Sequence, residues 1–287
     1  MTLRVRSRAL VLLLALAGLI VALVATHTPD APAASAPRAA ALEPAPGISP
    51  PGANDFSCEG RRGHRTPVVL VHGTFADMTM SWNLISPRLA RAGYCVFALD
   101  LPRRAAAPIQ RSTRKVSDFI GRVRRATDSR KVSIVGHSQG GMLPRYYIKR
   151  LDGQGKVRDL IGLSPSNHGT TTPLAPPAGQ LFNCQACLQQ VRGSKFLTNL
   201  NRGDETPGKR IDYTVVQTRY DEVVTPYQSA FLGDGGPGQV TNVLLQDRCP
   251  SDTTEHLRII YDPVAFQWIK NTLGRTGPAS RGFRPNC

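Results

Sequence analysis

From residue 67 onward the chain alternates two kinds of hydrophobic pattern. Short runs dominated by apolar and β-branched residues fall at 67–72, 95–99, 131–135, 157–163, 211–216 and 240–245. Runs of this length, ended by glycine or polar turns, predict strands covered on both faces, as in a parallel sheet. Between them, apolar residues return every three or four positions: Trp82, Leu84, Ile85 and Leu89 up to Gly93, then Val116, Phe119, Ile120 and Val123, then Met142, Tyr146 and Ile148. That period predicts helices, and a last helix is predicted over 263–273 around Val264, Trp268 and Ile269. Strands alternating with helices predict a doubly wound, mostly parallel α/β sheet with right-handed crossovers. Its functional groups should gather at the carboxyl ends of the strands.

Two stretches stand outside this alternation. Residues 165–210 are the longest excursion between strands, and a connection of that length inside a compact domain predicts a segment that shapes or covers a substrate pocket. Leu174, Leu181, Phe182, Phe196 and Leu197 are its candidate lining residues. At the other end, Arg4, Arg6 and Arg8 precede an apolar run from Ala9 through Ala25, the layout of a secretory signal peptide over 1–27. A signal anchor that is not removed is the alternative. Residues 28–54 are Ala- and Pro-rich and read as a linker, which leaves 55–287 as the folded domain.

Gly136-His137-Ser138-Gln139-Gly140 is a G-x-S-x-G string placed directly between a buried strand and a helical pattern. A serine there stands on a reversal so tight that only glycine fits beside it, which lifts the hydroxyl clear of the sheet. Its hydroxyl is a poor nucleophile unless a histidine takes its proton and a carboxylate orients that histidine. In the chain order Ser, acid, His, only His168 and His256 follow Ser138. His256 lies between the last strand and the last helix, where the base belongs, and His168 reads as a loop residue bonded to backbone. Asp221, just beyond the strand at 211–216, is the candidate acid. Glu222 is its alternative, although neighbours on an extended segment point opposite ways. Asp212 begins that strand at the wrong end, and Glu255 reads as a solvated loop carboxylate. An oxyanion needs backbone N–H donors, and Thr74 in the loop after the first strand and Gln139 are the candidates. The Thr74 hydroxyl is expected to add a further bond.

Composition changes this picture in two respects. The formal charge of +16 raises nucleic-acid binding, but aromatic residues are only 6% of the chain and no finger, RNP or recognition-helix motif is present. No nucleic-acid partner is expected. The basic residues read as a solvated surface, with attraction to anionic cell envelopes or a lipid–water interface as the sharper alternative. Six cysteines, Cys58, Cys95, Cys184, Cys187, Cys249 and Cys287, suit three disulfides in an exported chain, although six thiols permit fifteen pairings. Order along the chain favours Cys58 with Cys95, Cys249 with Cys287, and a local Cys184–Cys187 bond. The CxxC keeps redox chemistry or a zinc half-site as alternatives. No metal and no cofactor is expected, and the chain is expected to act as a monomer.

His72-Gly-Thr74, Gly-His-Ser138-Gln139-Gly-Gly141 and Tyr220-Asp221-Glu-Val-Val-Thr-Pro226, with Cys249 shortly before His256, resemble the class 2 lipases of the α/β-hydrolase fold. They are similar to the secreted bacterial lipases and to fungal lipase B. The resemblance covers most of 55–287 and implies Ser138, Asp221 and His256 as a triad, Thr74 and Gln139 as the oxyanion hole, and Cys58–Cys95 and Cys249–Cys287 as disulfides. It departs from those relatives at His137 and at Cys184/Cys187. The expected function is a secreted lipase or carboxylesterase of lipid-like esters working through an acyl-enzyme. Rivals are an acyltransferase, phospholipase or polyester depolymerase with the same residues, and a non-catalytic envelope-binding protein.

Overall fold

The computed structural model describes residues 47–59, 66–173, 175–208, 210–233 and 239–287. The expected signal segment, the linker up to residue 46 and Leu174 lie outside the described residues.

Six strands form where the apolar runs lie: β1 (Val68–Val71), β2 (Val96–Leu99), β3 (Val132–His137), β4 (Val157–Leu163), β5 (Asp212–Gln217) and β6 (Val240–Leu244). They pair in the order β2-β1-β3-β4-β5-β6, and every pairing is parallel, so among the described strands the sheet is parallel throughout. Alternate residues feed two separate cores, as the two-residue period of a strand dictates. Val69, Val71 and Ile134 join one cluster, and Val68, Leu70 and Val135 join the other with Trp82, Leu89 and Trp268.

The helical pattern around Trp82 to Leu89 forms two short helices, α1 (Met78–Trp82) and α2 (Ile85–Arg91). The break at Asn83 and Leu84 keeps Trp82, Ile85 and Leu89 buried and turns Leu84 outward. Asp77 caps α1 by accepting from the Met80 amide at 2.8 Å. α3 (Ile109–Ala126) buries Ile109, Ser112, Thr113, Val116, Phe119, Ile120 and Val123. Its exposed side carries Arg111, Arg114, Lys115, Arg122 and Arg125, the polar face of an amphipathic helix. α4 (Gln139–Arg150) follows β3 without a loop. The excursion is itself helical, with α5 (Ala175–Leu181), α6 (Gln185–Gln189) and α7 (Lys195–Asn201). α8 (Pro263–Leu273) starts on the Asp262 cap with Pro263 at its first position, and ends at Gly274.

Residues 47–54, the last part of the stretch read as linker, are hydrogen-bonded to the folded body. Gly47 donates to the Asp100 carboxylate at 2.6 Å, and Ala53 bridges Val96 on the outer side of β2. The Asn54 side chain then bonds both backbone groups of Ala98, donating to its carbonyl at 3.0 Å and accepting from its amide at 2.9 Å. The edge strand β2 is thereby paired along most of its length. Disulfides join Cys58 to Cys95, Cys184 to Cys187 and Cys249 to Cys287. The CxxC is thus a local crosslink, and among the described residues no His, Cys, Asp or Glu cluster suits a metal ion.

Candidate active site

β1 leads to β2 on one side and its neighbour β3 leads to β4 on the other, so the connections diverge and open a crevice between the carboxyl ends of β1 and β3. Ser138 stands there, between β3 and α4, at φ 53° and ψ −124°. A non-glycine residue holds that conformation only when its surroundings impose it. The flanking glycines supply the room. A Cβ on Gly136 would fall on the Gly140 carbonyl, and one on Gly140 would fall on the carbonyls of Val71 and His72. Gly140 is therefore what lets the start of α4 press against the end of β1.

Asp221 follows β5 and His256 follows β6, and the two loops are laced together beside them. Tyr220 bridges Glu255, and the Thr218 hydroxyl donates to the Thr254 carbonyl at 2.6 Å. This brings the Asp221 carboxylate to 2.9 Å from Nδ1 of His256, with both side chains buried. The other Asp221 oxygen accepts from the amides of Val223 at 3.0 Å and Val224 at 2.7 Å. Burial pushes this carboxyl up, but the hydrogen bond and charge of His256 and the two amides outweigh it and hold it below the ordinary carboxylate value. Among the described residues Glu222 hydrogen-bonds only the His256 backbone amide, at 3.4 Å, and it is exposed. Ser138 and His256 line one cavity, although among the described residues no hydrogen bond joins the Ser138 hydroxyl to the His256 ring.

His137 and His72, which chain order excludes as bases, both hold this site in place. His137 is buried, and its Nε2–H donates to the His256 carbonyl at 2.9 Å, with the two rings 4.9 Å apart. Burial, reinforced by the nearby His256, pushes the His137 imidazole down to about 3. His72 Nε2 accepts from the Leu101 amide at 2.9 Å, so its Nδ1–H donates to the Gly73 carbonyl at 2.8 Å. Burial lowers this imidazole too, which keeps it a neutral strut under the Gly73-Thr74 loop. Neither the Thr74 nor the Gln139 amide has a partner among the described residues. The sequence offered no sign of these two supporting roles beyond the identity of the residues.

The cavity has a volume of ≈ 550 Å³ and a mainly apolar wall that includes Phe75, Met80, Ala175, Ala178, Val223 and Ile260. The lining expected from the excursion is corrected here. Phe196 and Leu197 are buried on α7, where Phe196 stacks on Tyr146 at 5.6 Å, because that face of α7 closes the core over α4. Leu181 ends α5 and Phe182 follows it, at 79% and 62% exposure, and Phe182, which does not line the cavity, packs on the wall residue Phe75 at 5.8 Å. The excursion instead contributes Ser166, Thr170, Thr172, Ala175, Ala178, Cys187 and Gln190. His168 lies apart from Ser138's cavity lining, with Nδ1 on the Ser229 carbonyl at 3.0 Å and Nε2 on Glu205 at 2.9 Å.

Residues 65–269 match the family described as Lipase (class 2). Among solved structures, Aspergillus fumigatus lipase B is similar at 23% identity and a TM-score of 0.69, over 81% of this chain and 57% of that one. The chain therefore spans little more than half the length of the fungal enzyme. A mature Bacillus licheniformis lipase is similar at 18% identity and a TM-score of 0.60, over 75% of this chain and 94% of that one. These likenesses carry the fold, that of the α/β-hydrolases, and the sequence match carries the lineage: the chain belongs to the class 2 lipase family.

Proposed function

We propose that this protein is an exported ester hydrolase that cleaves lipid-like carboxylic esters through an acyl-enzyme on Ser138. The observation that carries the reading is the meeting of Ser138 and the Asp221-bound His256 ring in one apolar cavity. In this reading His256 Nε2 takes the Ser138 proton as the hydroxyl oxygen bonds the ester carbonyl carbon. The contact between them tightens when substrate is bound, as catalytic hydrogen bonds commonly do. Asp221, ionised, keeps the other imidazole proton on Nδ1 and steadies the imidazolium. The carbonyl oxygen becomes an oxyanion held by the amides of Thr74 and Gln139. Collapse breaks the bond to the alcohol oxygen, which leaves with the proton from His256. Water then repeats the sequence on the acyl-enzyme and releases the carboxylic acid.

The apolar wall favours an acyl chain over a polar substituent. Phe75, Met80, Val223 and Leu257 are exposed around its mouth, which suits approach to a lipid–water interface. Export is supported by the three disulfides, which persist in oxidising compartments. Ser138→Ala should abolish hydrolysis of p-nitrophenyl esters and labelling by a fluorophosphonate, with an unchanged circular dichroism spectrum. Turnover retained by that variant would end the proposal.

A further inference from the structure

The Thr74 hydroxyl sits where the loop after β1 meets the excursion, and its neighbours fix its bonding. Its oxygen accepts from the side-chain amide of Gln139 at 2.9 Å and from that of Gln190 at 3.1 Å. Which end of each amide faces it follows from a second acceptor. Gln139 Nε2 also donates to the Ala105 carbonyl at 2.9 Å, and Gln190 Nε2 to the Ala186 carbonyl at 3.1 Å. Gln190 Oε1 accepts from the Ser166 hydroxyl at 2.8 Å. Turning either amide over would set its oxygen against a carbonyl oxygen, so both orientations are determined by the network. The Gln139 oxygen is buried with no partner among the described residues, a cost accepted only where the nitrogen's contacts dominate.

A hydroxyl has two acceptor lone pairs and one proton. With both lone pairs of Thr74 engaged, its proton is directed away from both amides, and among the described residues it has no acceptor. Thr74 lines the cavity together with Ser138 and Gln190. We propose that Gln190 is a positioning residue of the oxyanion hole: with the Gln139 side chain it occupies both lone pairs of the Thr74 hydroxyl and so aims that proton into the cavity as a third donor to the oxyanion. This rests on the reading of Ser138 as nucleophile and adds what the excursion does for it. A free threonine hydroxyl would have to reorient as charge develops, and a locked one does not. The two amide donations also polarise the O–H bond and make it a stronger donor. Gln190 is the residue that ends α6, whose start is crosslinked by Cys184 and Cys187.

The test is a double-mutant cycle on kcat and KM with a soluble p-nitrophenyl ester. Gln190→Met keeps the bulk but frees one lone pair, and should lower kcat on the order of tenfold with KM nearly unchanged. Gln190→Glu turns an acceptor toward the hydroxyl and draws its proton out of the cavity. Its kcat should fall further, toward that of Thr74→Val, which loses a donor and about 10²–10³ in kcat. In the T74V background both Gln190 substitutions should change kcat by less than about twofold, because no hydroxyl remains to be aimed. Thr74→Ser keeps the hydroxyl and should restore the sensitivity to Gln190. Equal losses in the Thr74 and T74V backgrounds, or no loss in the former, would overturn the proposal. Should Gln190→Met fail to fold by circular dichroism, the near-isosteric Gln190→Glu carries the same comparison. Failure of the nucleophile reading is distinct, since it would show as turnover in Ser138→Ala.

Discussion

Asp221→Asn isolates what the carboxylate does, because the structure dictates how an asparagine would sit. One Asp221 oxygen is held by the amides of Val223 and Val224, both donors, so the asparagine must keep its oxygen there. Its NH₂ group then faces His256 Nδ1 at the 2.9 Å now spanned by the carboxylate. The histidine relieves this donor–donor contact by moving its proton to Nε2. In that tautomer it cannot take the Ser138 proton. To act as base it must return the proton to Nδ1, leaving two buried donors opposed, at about 1–3 kcal/mol each. Together these cost about 2–6 kcal/mol, a rate factor of roughly 30 to 10⁴. The same replacement in the serine protease triad costs about 10⁴ in kcat. The assay is p-nitrophenyl ester turnover alongside fluorophosphonate labelling, and both rates should fall by roughly 30- to 10⁴-fold, with KM and the unfolding midpoint nearly unchanged. A variant within tenfold of the parent would refute the assignment of Asp221 as the orienting acid.

Three further outcomes follow from neighbouring groups. His137→Phe leaves the His256 carbonyl without its donor, so unfolding in urea should show about 1–3 kcal/mol less stability and kcat should fall more than KM rises; an unchanged kcat would mean that the His137 bond does not hold the base in place. Asp221 is held below the ordinary carboxylate value and His137 is pushed down to about 3, so neither should add a protonation step to kcat/KM above about pH 5 and His137→Phe should leave the shape of that profile unchanged there; a step lost from that range in the variant would contradict this. Burial raises Asp159 from 3.8 to about 6, so its folded form prefers the proton and stability from this group is full below about 3.8 and lost as pH rises through about 6. Asp159→Asn should therefore be more stable than the parent at pH 8 by up to ~3 kcal/mol, with the lead nearly gone at pH 4, and a lead of the same size at both pH values would contradict this origin.

The strands were legible because burial on both faces leaves a local mark, a short apolar run with no alternation. The chain order of Ser138, Asp221 and His256 was legible for a related reason, since each follows a strand whose position was already readable. The break between α1 and α2 was not, because both halves share one apolar face and the spacing of Trp82, Ile85 and Leu89 suits a single helix equally well. The pocket lining was misread because Phe196 and Leu197 are apolar for the sake of the core over α4, and composition does not say which wall of a helix meets which neighbour. His72, His137 and Gln190 gained their places only through contacts made across 29, 119 and 116 positions of chain. No local pattern records such meetings.

The Asn54 side chain occupies the backbone positions that the next strand of a larger sheet would take on β2. A protease cutting on the carboxyl side of Asn54 would release that cover and bare the Ala98 amide and carbonyl at the sheet's margin. Two molecules so trimmed would offer each other matching ribbons, and edge-to-edge clumping would become available to them. The point at which any trimming of the chain stops would therefore decide colloidal behaviour as well as length, and a form retaining residues 47–54 should store better in solution than one trimmed past them.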